Sequence, residues 1–430
     1  MLLLGALALQ SANAFAGIDV ASLTAFENKP VTRVALSGHK VTKDYVITRE
    51  LETRAGEPFK VETLLADVQR LENISIFAEV GVAAEAEGPG VAVTFQFKEM
   101  PSLIPFVGFA YTDENGFSVG PGVSALNLTG RRMSLSARAY FGDAKQQWLR
   151  YSWPWIKGNH VSFDFYSARL TRPDKLNEFE ETSYEFNPTL GRFFGRHGRL
   201  KGWLSFFRME SDVDGKTLSP DNQDLLARTG ASVGWDDRDS WTLPRRGWRN
   251  ELSLVRTMGD GDFWTLDVDL RRYLPVGRRG RVALSGLATL QSGTVGEDVP
   301  QYLTYYLGGS NSIRGYKPVE LGPSLNGKNQ MLGTAEYSWN VVPLRRFDIW
   351  KFAFRVGLEL AAFTDLGIAW SASEDLRWDH GRGGAGAGIR LLVPGSGEML
   401  RFDVGWSEQG GFVFHFASGT KAAAQRNRVR

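Results

Sequence analysis

The chain of 430 residues has no cysteine, no one-signed excess of charge and no long apolar run. Each absence excludes something. Without Cys there are no disulfides, no thiolate nucleophiles and no Cys-ligated zinc or iron–sulfur site. Lys and Arg number 50 against 48 Asp and Glu, so no basic excess marks a nucleic-acid partner. Leu2–Leu9 is the longest apolar stretch noted, well short of the ~20 residues that a spanning helix needs. His39, His160, His197, His380 and His415 are scattered without metal-ligand spacing. Asp212-Val213-Asp214-Gly215 begins like a calcium loop but lacks the terminal Glu, and reads as a tight turn. No nucleophile elbow, phosphate loop or dinucleotide fingerprint occurs. No catalytic residue, metal, cofactor or enzymatic activity is therefore expected.

What the chain does have is glycine and aromatics: 48 Gly, 27 Phe, 13 Trp and 12 Tyr. With no spanning helix available, that composition leaves a soluble β-protein or a membrane β-barrel. At the N-terminus, Leu2–Leu9 is followed by Ala12-Asn13-Ala14 and Ala14-Phe15-Ala16, two small-x-small cleavage patterns. A signal peptide over 1–16 is expected. Its missing basic start reads as a misassigned start codon or a fragment.

Residues 31–98 read β-α-α-β-β. Val31–Ser37 alternates, and Thr42 is the expected cap of a helix over Lys43–Leu51. Val61, Leu64, Leu65, Val68 and Leu71 then make one helical stripe. Ile76–Ala83 and Val91–Lys98 follow as strands about a Gly88-Pro89-Gly90 turn. A small α+β domain over 29–101 is expected.

From 102 to 416 the period changes to two. Segments of about ten residues alternate between turn residues. Met133, Leu135, Ala137, Ala139 and Phe141 oppose Ser134, Ser136, Arg138 and Tyr140; Leu400, Phe402, Val404 and Trp406 oppose Arg401, Asp403 and Gly405. In a membrane barrel the apolar face meets lipid and the charged face lines the lumen. Sixteen such segments can be counted, from 103–112 to 410–416, an even number as a closed bacterial barrel requires. Trp148, Trp153, Trp155, Trp203, Trp235, Trp241 and Trp248 are assigned to interfacial girdles near strand ends. The predicted fold is a 16-stranded antiparallel transmembrane β-barrel preceded by one α+β domain.

The longest connection, over 293–329, carries Leu307-Gly308-Gly309-Ser310-Asn311-Ser312-Ile313-Arg314-Gly315-Tyr316. This run resembles the (V/I)RG(F/Y) signature of the BamA/TamA superfamily of outer-membrane barrels that insert or translocate proteins. Asn127-Leu128-Thr129-Gly130, Asp236-Asp237-Arg238-Asp239 and Pro244-Arg245-Arg246-Gly247 resemble the family's strand-end motifs. Residues 31–98 resemble a POTRA (polypeptide-transport-associated) domain. The resemblance implies that this loop folds back into the lumen and that Arg314 meets the acidic strand motif Phe363-Thr364-Asp365-Leu366-Gly367. Strand parity independently turns Glu336, Glu359, Phe363 and Asp365 inward. Ser312, Ile313, Arg314, Gly315 and Tyr316 are thus expected to anchor the loop, with Gly315 allowing close backbone approach and Tyr316 packing beside it.

Gln409, Gly411, Phe412, Phe414 and Phe416 resemble the C-terminal assembly signal of such barrels, with the three Phe facing lipid. The tail 417–430 is expected to be disordered. The glycines opening the last strand mark the seam to the first strand as the weakest ladder.

The resemblance places the chain in the outer membrane of a Gram-negative bacterium, with the POTRA domain in the periplasm. Expected partners are outer-membrane lipid, and an unfolded client or a periplasmic protein bound by the POTRA domain through a strand edge; composition leaves the oligomeric state open. The alternatives are a passive channel or structural surface antigen, and the membrane half of a larger protein. A single POTRA domain favours a specialised client or accessory role over a general insertase.

Overall fold

The computed structural model describes residues 20–112, 115–156, 159–174, 177–241, 243–317, 325–349, 352–393 and 398–418. The expected signal peptide lies outside the described residues. The chain divides into two compact units, one of 1–104 with 124–135 and 151–160, the other of 105–123 with 136–150 and 161–430.

In the first unit β1 (Val31–Ser37), β2 (Phe77–Glu87) and β3 (Gly90–Glu99) form a sheet of order β1-β3-β2. β1 runs parallel to β3, and β2 antiparallel to it. A parallel pair needs a crossover, and the helices Asp44–Thr48 and Val61–Asn73 lie within it. The stripe Leu64, Val68 and Leu71 packs with Val91, Val93 and Phe95 in one core. Asp67 is buried on that helix too. Its oxygens accept the Glu52 and Thr53 N–H groups, each at 2.8 Å, and Arg70 pairs with it. A buried carboxylate without such partners would be strongly unfavourable.

Two expectations change here. A helix over Val20–Thr24 adds Leu23 to the core and packs Val20 on Leu65, so the packed domain starts before residue 29. Thr42 caps no helix; the helix begins at Asp44 after an uncapped Lys43. The Thr42 hydroxyl instead donates to Glu99 at 2.5 Å, and the N–H groups of Lys40, Val41 and Thr42 converge on the same carboxylate at 2.7–3.1 Å. Burial pushes the Glu99 carboxyl up, but these hydrogen bonds outweigh it and hold the group below its ordinary value.

The remaining long strands are β4 (Leu103–Thr112), β5 (Gly116–Leu128), β6 (Met133–Gly142), β7 (Lys145–Trp153), β8 (Val161–Asp174), β9 (Phe179–Phe194), β10 (Gly198–Ser211) and β11 (Gln223–Asp236). They continue with β12 (Gly247–Gly259), β13 (Phe263–Val276) and β14 (Gly280–Gln291). Two short strands in the long loop, β15 (Tyr305–Tyr306) and β16 (Asn326–Gly327), pair with each other. The wall resumes with β17 (Asn329–Ile349), β18 (Phe352–Trp370), β19 (Arg382–Val393), β20 (Glu398–Ser407) and β21 (Gly411–Ser418). Together the long strands form one 16-stranded sheet in sequential order from β4 to β21, with β14 beside β17. It is a nearly closed antiparallel barrel. The charges of the polar face are drawn into its lumen: Glu359, Asp365, Arg390, Arg401 and Asp403 are buried, while Leu360, Leu366, Ile389, Phe402 and Val404 are exposed.

β17 and β18 are longer than the alternation suggested, with register shifts between Asn340 and Arg345 that carry the hairpin onward. Trp148 and Trp203 are not interfacial. Trp148 sits mid-strand between Arg138 and Arg150, at 4.5 and 5.7 Å from the ring, and Trp203 lies against Gly230. Stacking on a guanidinium or a bare backbone keeps an aromatic on the lumen side.

The last strand opens at Gly411, which has φ +66°, with Gln409 in the preceding turn. Phe412 and Phe414 are fully outward. Phe416 packs between Phe402 and Tyr111, at centroid distances of 4.7 and 5.2 Å. β21 runs two residues past the expected end at 416, to Ser418; 419–430 lie outside the described residues. Among the described residues the hydrogen-bonded order ends at β21 on one side and β4 on the other.

Because Glu99 is held below its ordinary pKa, its stabilisation is complete above the unfolded value of about 4.3 and fades as pH falls through the native one. Urea-dependent pulse proteolysis of the 39–43 segment should show a larger loss from pH 7 to pH 4 in the wild type than in Glu99→Gln. Equal losses would refute this role.

Candidate functional site

The long loop between β14 and β17 brings its tip onto the inner wall. The turn is shaped by Gly308 (φ +118°), Gly309 (φ +88°) and Gly315 (φ +131°), a region that residues with a Cβ rarely occupy. The Ser312 hydroxyl donates to the Gly308 carbonyl at 2.7 Å and accepts the Gly308 N–H at 2.6 Å. Gly309 N–H donates to the Tyr316 carbonyl at 2.9 Å. Ile313 and Tyr316 are buried with Leu307, Leu325, Leu332 and Ala369. This braced turn projects Arg314, which is wholly buried.

The guanidinium of Arg314 is bidentate on Asp365, with Nε to Oδ2 at 2.8 Å and Nη2 to Oδ1 at 3.0 Å. Its backbone N–H also donates to Asp365, at 3.1 Å, and the Thr334 hydroxyl adds a fourth bond at 2.9 Å. Nη1 reaches Glu336 at 2.8 Å and Asp403 at 3.4 Å. The Phe363 ring covers the guanidinium face, with Cζ at 3.4 Å from the centroid. All edges and one face of the cation are thereby engaged, which suits a planar fork and not a lysine ammonium.

A second cation completes the cluster. Arg390 bonds Asp403 at 2.6 Å and Glu336 at 2.9 Å. Arg401 stands opposite Arg390 in the β19–β20 register. It turns to the loop instead, bonding the Ser310 carbonyl at 3.1 Å and Asn311 Oδ1 at 2.7 Å. The three arginines are matched by Glu336, Asp365 and Asp403, so the buried set is neutral.

The wall is built to admit the loop. A Cβ on Gly384 would lie 2.2 Å from the Arg314 carbonyl oxygen, one on Gly405 would lie 2.5 Å from its carbon, and one on Gly410 would lie 2.2 Å from the Gly315 oxygen. The Gly315 carbonyl accepts the Ser407 hydroxyl at 2.7 Å. A Cβ on Gly367 would push against the Leu332 and Ile313 side chains, at 2.6 and 3.2 Å, and meet the Met331 carbonyl oxygen at 3.0 Å. Upstream the same loop is fixed elsewhere: Val299, Tyr302 and Leu303 pack with Phe179, Met209, Leu226 and Phe263, and the Tyr302 hydroxyl donates to Asp224 at 2.9 Å.

Of the partners named from sequence, Glu336, Phe363 and Asp365 meet Arg314, whereas Glu359 does not. It sits six residues from Asp365 along β18, about 20 Å for an extended strand, and pairs with Arg281 at 2.9 Å. Arg390, Arg401, Asp403, Thr334 and Ser407 were not anticipated. The inward parity of Arg401 and Asp403 was readable; their meeting with the loop depends on how far the wall curves.

Fold and site together define a membrane-spanning β-barrel whose long loop is held inside its lumen. The model for the Omp85 superfamily domain matches residues 127–421, and that for the surface antigen variable number repeat, the POTRA domain, matches 30–100. The chain belongs to the Omp85 superfamily. It is a protein of the Gram-negative outer membrane, with its POTRA domain in the periplasm.

The outer membrane protein assembly factor BamA of Nitratidesulfovibrio vulgaris is 25% identical over 365 residues, covering 81% of this chain and 45% of that protein. BamA of Neisseria meningitidis serogroup B is 19% identical over 348 residues, covering 69% and 40%. The chain thus spans less than half the length of these relatives. Among solved structures, BamA from Haemophilus ducreyi lacking POTRA domains 1–3 superposes with a TM-score of 0.59 at 17% identity, covering 90% of this chain and 84% of that one. CdiB from Escherichia coli gives a TM-score of 0.58 at 15% identity, covering 91% and 76%.

Arg314→Ala and Asp365→Ala should each destabilise the folded barrel by about 3–5 kcal/mol, because each leaves buried charge unpaired. The double variant should cost clearly less than the sum, read by urea titration of heat-modifiable gel mobility; additive losses would exclude the pairing. Gly405→Val should free the loop without removing any charge. Trypsin, blocked at Arg314 in the wild type, should then cleave there in the folded barrel, and continued protection would count against the tight fit.

Proposed function

We propose that this protein inserts or translocates client proteins, with the POTRA domain receiving them and the barrel seam handling them. The observation that carries the reading is the order of the sheet among the described residues: β21 ladders with β20 and β4 with β5, and these two ends meet through the Tyr111–Phe416 ring contact. An unpaired strand edge is a template for an incoming strand. Membership of the Omp85 superfamily supports the same use.

The POTRA sheet offers an edge of the same kind. β1 is bonded to β3 on one side and is the terminal strand of its sheet. Val34, Leu36, Tyr45 and Leu51 line a hollow of about 1260 Å³ beside it. An extended client could add its backbone to β1 and seat alternate side chains in this hollow. The Arg314 network serves this function as a structural lock that holds the loop in the lumen; no bond is made or broken there. A loop so held also disfavours a permanently open channel.

The chain has no Cys, which permits a clean test. Tyr111→Cys with Phe416→Cys, bridged by a short bifunctional maleimide, should abolish client insertion in proteoliposomes. Each single variant treated alike should stay active. Full activity of the bridged protein would exclude handling at the seam. In cells, depletion should remove either several barrels or one secreted protein from the proteome, and an unchanged proteome would refute both forms of the reading.

A further inference from the structure

Outside the lumen, the lipid-facing side of β5–β11 carries a groove of about 1110 Å³. That exceeds the ~300–1,000 Å³ of ordinary small-molecule sites. It runs across the strands from Ala137 and Ala139 on β6 to Ala227 on β11, with Leu149, Phe186 and Phe206 standing outward between them. Gln147 and Ser167 are its few uncharged polar groups. Large outward residues are the rule on this barrel, so the alanines at the two ends of the groove leave room for lipid chains beside the phenylalanines between them.

One end of the groove is charged. Arg169 on β8, Tyr184 on β9 and Arg208 on β10 stand in a single cross-strand row. Both guanidinium carbons lie over the Tyr184 ring, at 5.6 and 5.8 Å from its centroid. Arg208 pairs with Glu210, while Arg169 is exposed and has no acidic partner among the described residues. Below the row the outward positions are apolar: Phe165 on β8, Phe186 and Leu190 on β9, and Leu204 and Phe206 on β10. The row lies toward the ends of β8 and β10 that lead into the 175–178 and 212–222 connections. With the POTRA domain in the periplasm, up-running even-numbered strands place those connections outside the cell. The arginines therefore stand at the outer boundary of the apolar belt, at headgroup level.

We infer that this groove is a specific site for a phosphorylated, multiply acylated glycolipid of the outer leaflet, the lipid A class. Its acyl chains lie along Leu149, Phe186 and Phe206 and fill the alanine ends of the groove, and a phosphate is held by Arg169 and Arg208. Charge complementarity selects a phosphate at that level, since guanidinium binds it in a fork. The width of the groove selects several chains over one. Tyr184 holds both arginines in place, which lowers the ordering cost of binding.

The test is native mass spectrometry of the full-length protein in detergent, titrated with bisphosphorylated lipid A or with phosphatidylethanolamine. The wild type should hold one lipid A through mild activation and bind phosphatidylethanolamine at least tenfold more weakly. Arg169→Ala with Arg208→Ala should weaken lipid A binding by about tenfold or more. Ala139→Phe with Ala227→Phe, which fills the groove from the lipid side, should do the same while heat-modifiable mobility stays normal. Arg272→Ala, at the outward Trp248 stack remote from the groove, should change nothing. Undiminished lipid A binding in either double variant, or equal binding of phosphatidylethanolamine, would overturn the assignment.

Discussion

The structure turns on one buried cation. A guanidinium taken fully out of water is tolerable only if its charge and all its donors are met, and Arg314 achieves this with carboxylates from β17, β18 and β20. The requirement spreads outward. Glu336 and Asp403 would repel each other and overcharge the site if Arg314 were their only partner. Arg390 supplies the second cation they need. Arg401, which would face Arg390 across the ladder as a like charge, is drawn away to the loop carbonyl and Asn311. Like charges directly opposed weaken a sheet, so the loop and the wall depend on each other.

That dependence explains the glycines. A guanidinium on a loop can reach Asp365 only if the loop backbone lies against the strands. Wall positions in direct contact with the Arg314 and Gly315 carbonyl groups must then be small. Gly384, Gly405 and Gly410 meet the condition on β19, β20 and the turn after it. Inward glycines weaken strands in isolation. Here the lost side-chain packing is replaced by main-chain contact with the loop.

The division between what was legible from the residues and what was not follows sequence distance. The period of two, the inward carboxylates and the outward phenylalanines are local patterns, readable strand by strand. The wall's charged face was visible as Arg401 and Asp403 opposing Leu400 and Phe402. Which carboxylate meets Arg314 is not local. Parity admitted Glu359 as readily as Glu336, and only register separates them: Glu336 faces Phe363 across the ladder, next to Asp365, whereas Glu359 faces Asn340. Glu359 and Arg281 meet across Ser338, a small buried residue on the strand between. Thr42 failed for a related reason. Its local pattern was a helix cap, but Glu99, distant in sequence, offered a carboxylate that its hydroxyl and three neighbouring N–H groups could share.

The lock and the seam are mechanically close, and this bears on how the proposed function could operate. The loop rests on β19 and β20 and on the turn that starts the closing strand, where Ser407 and Gly410 meet Gly315. Beyond that turn β21 has, among the described residues, a ladder to β20 alone, a left-handed glycine at its start and two outward, exposed phenylalanines. If the sheet parts at its ends, β20 stays pinned through Asp403 and Arg401, and Gly411 is the position at which β21 can swing. Under the proposed function, the charge network would set where the wall yields: one strand from the edge, at the residue after the loop's last contact.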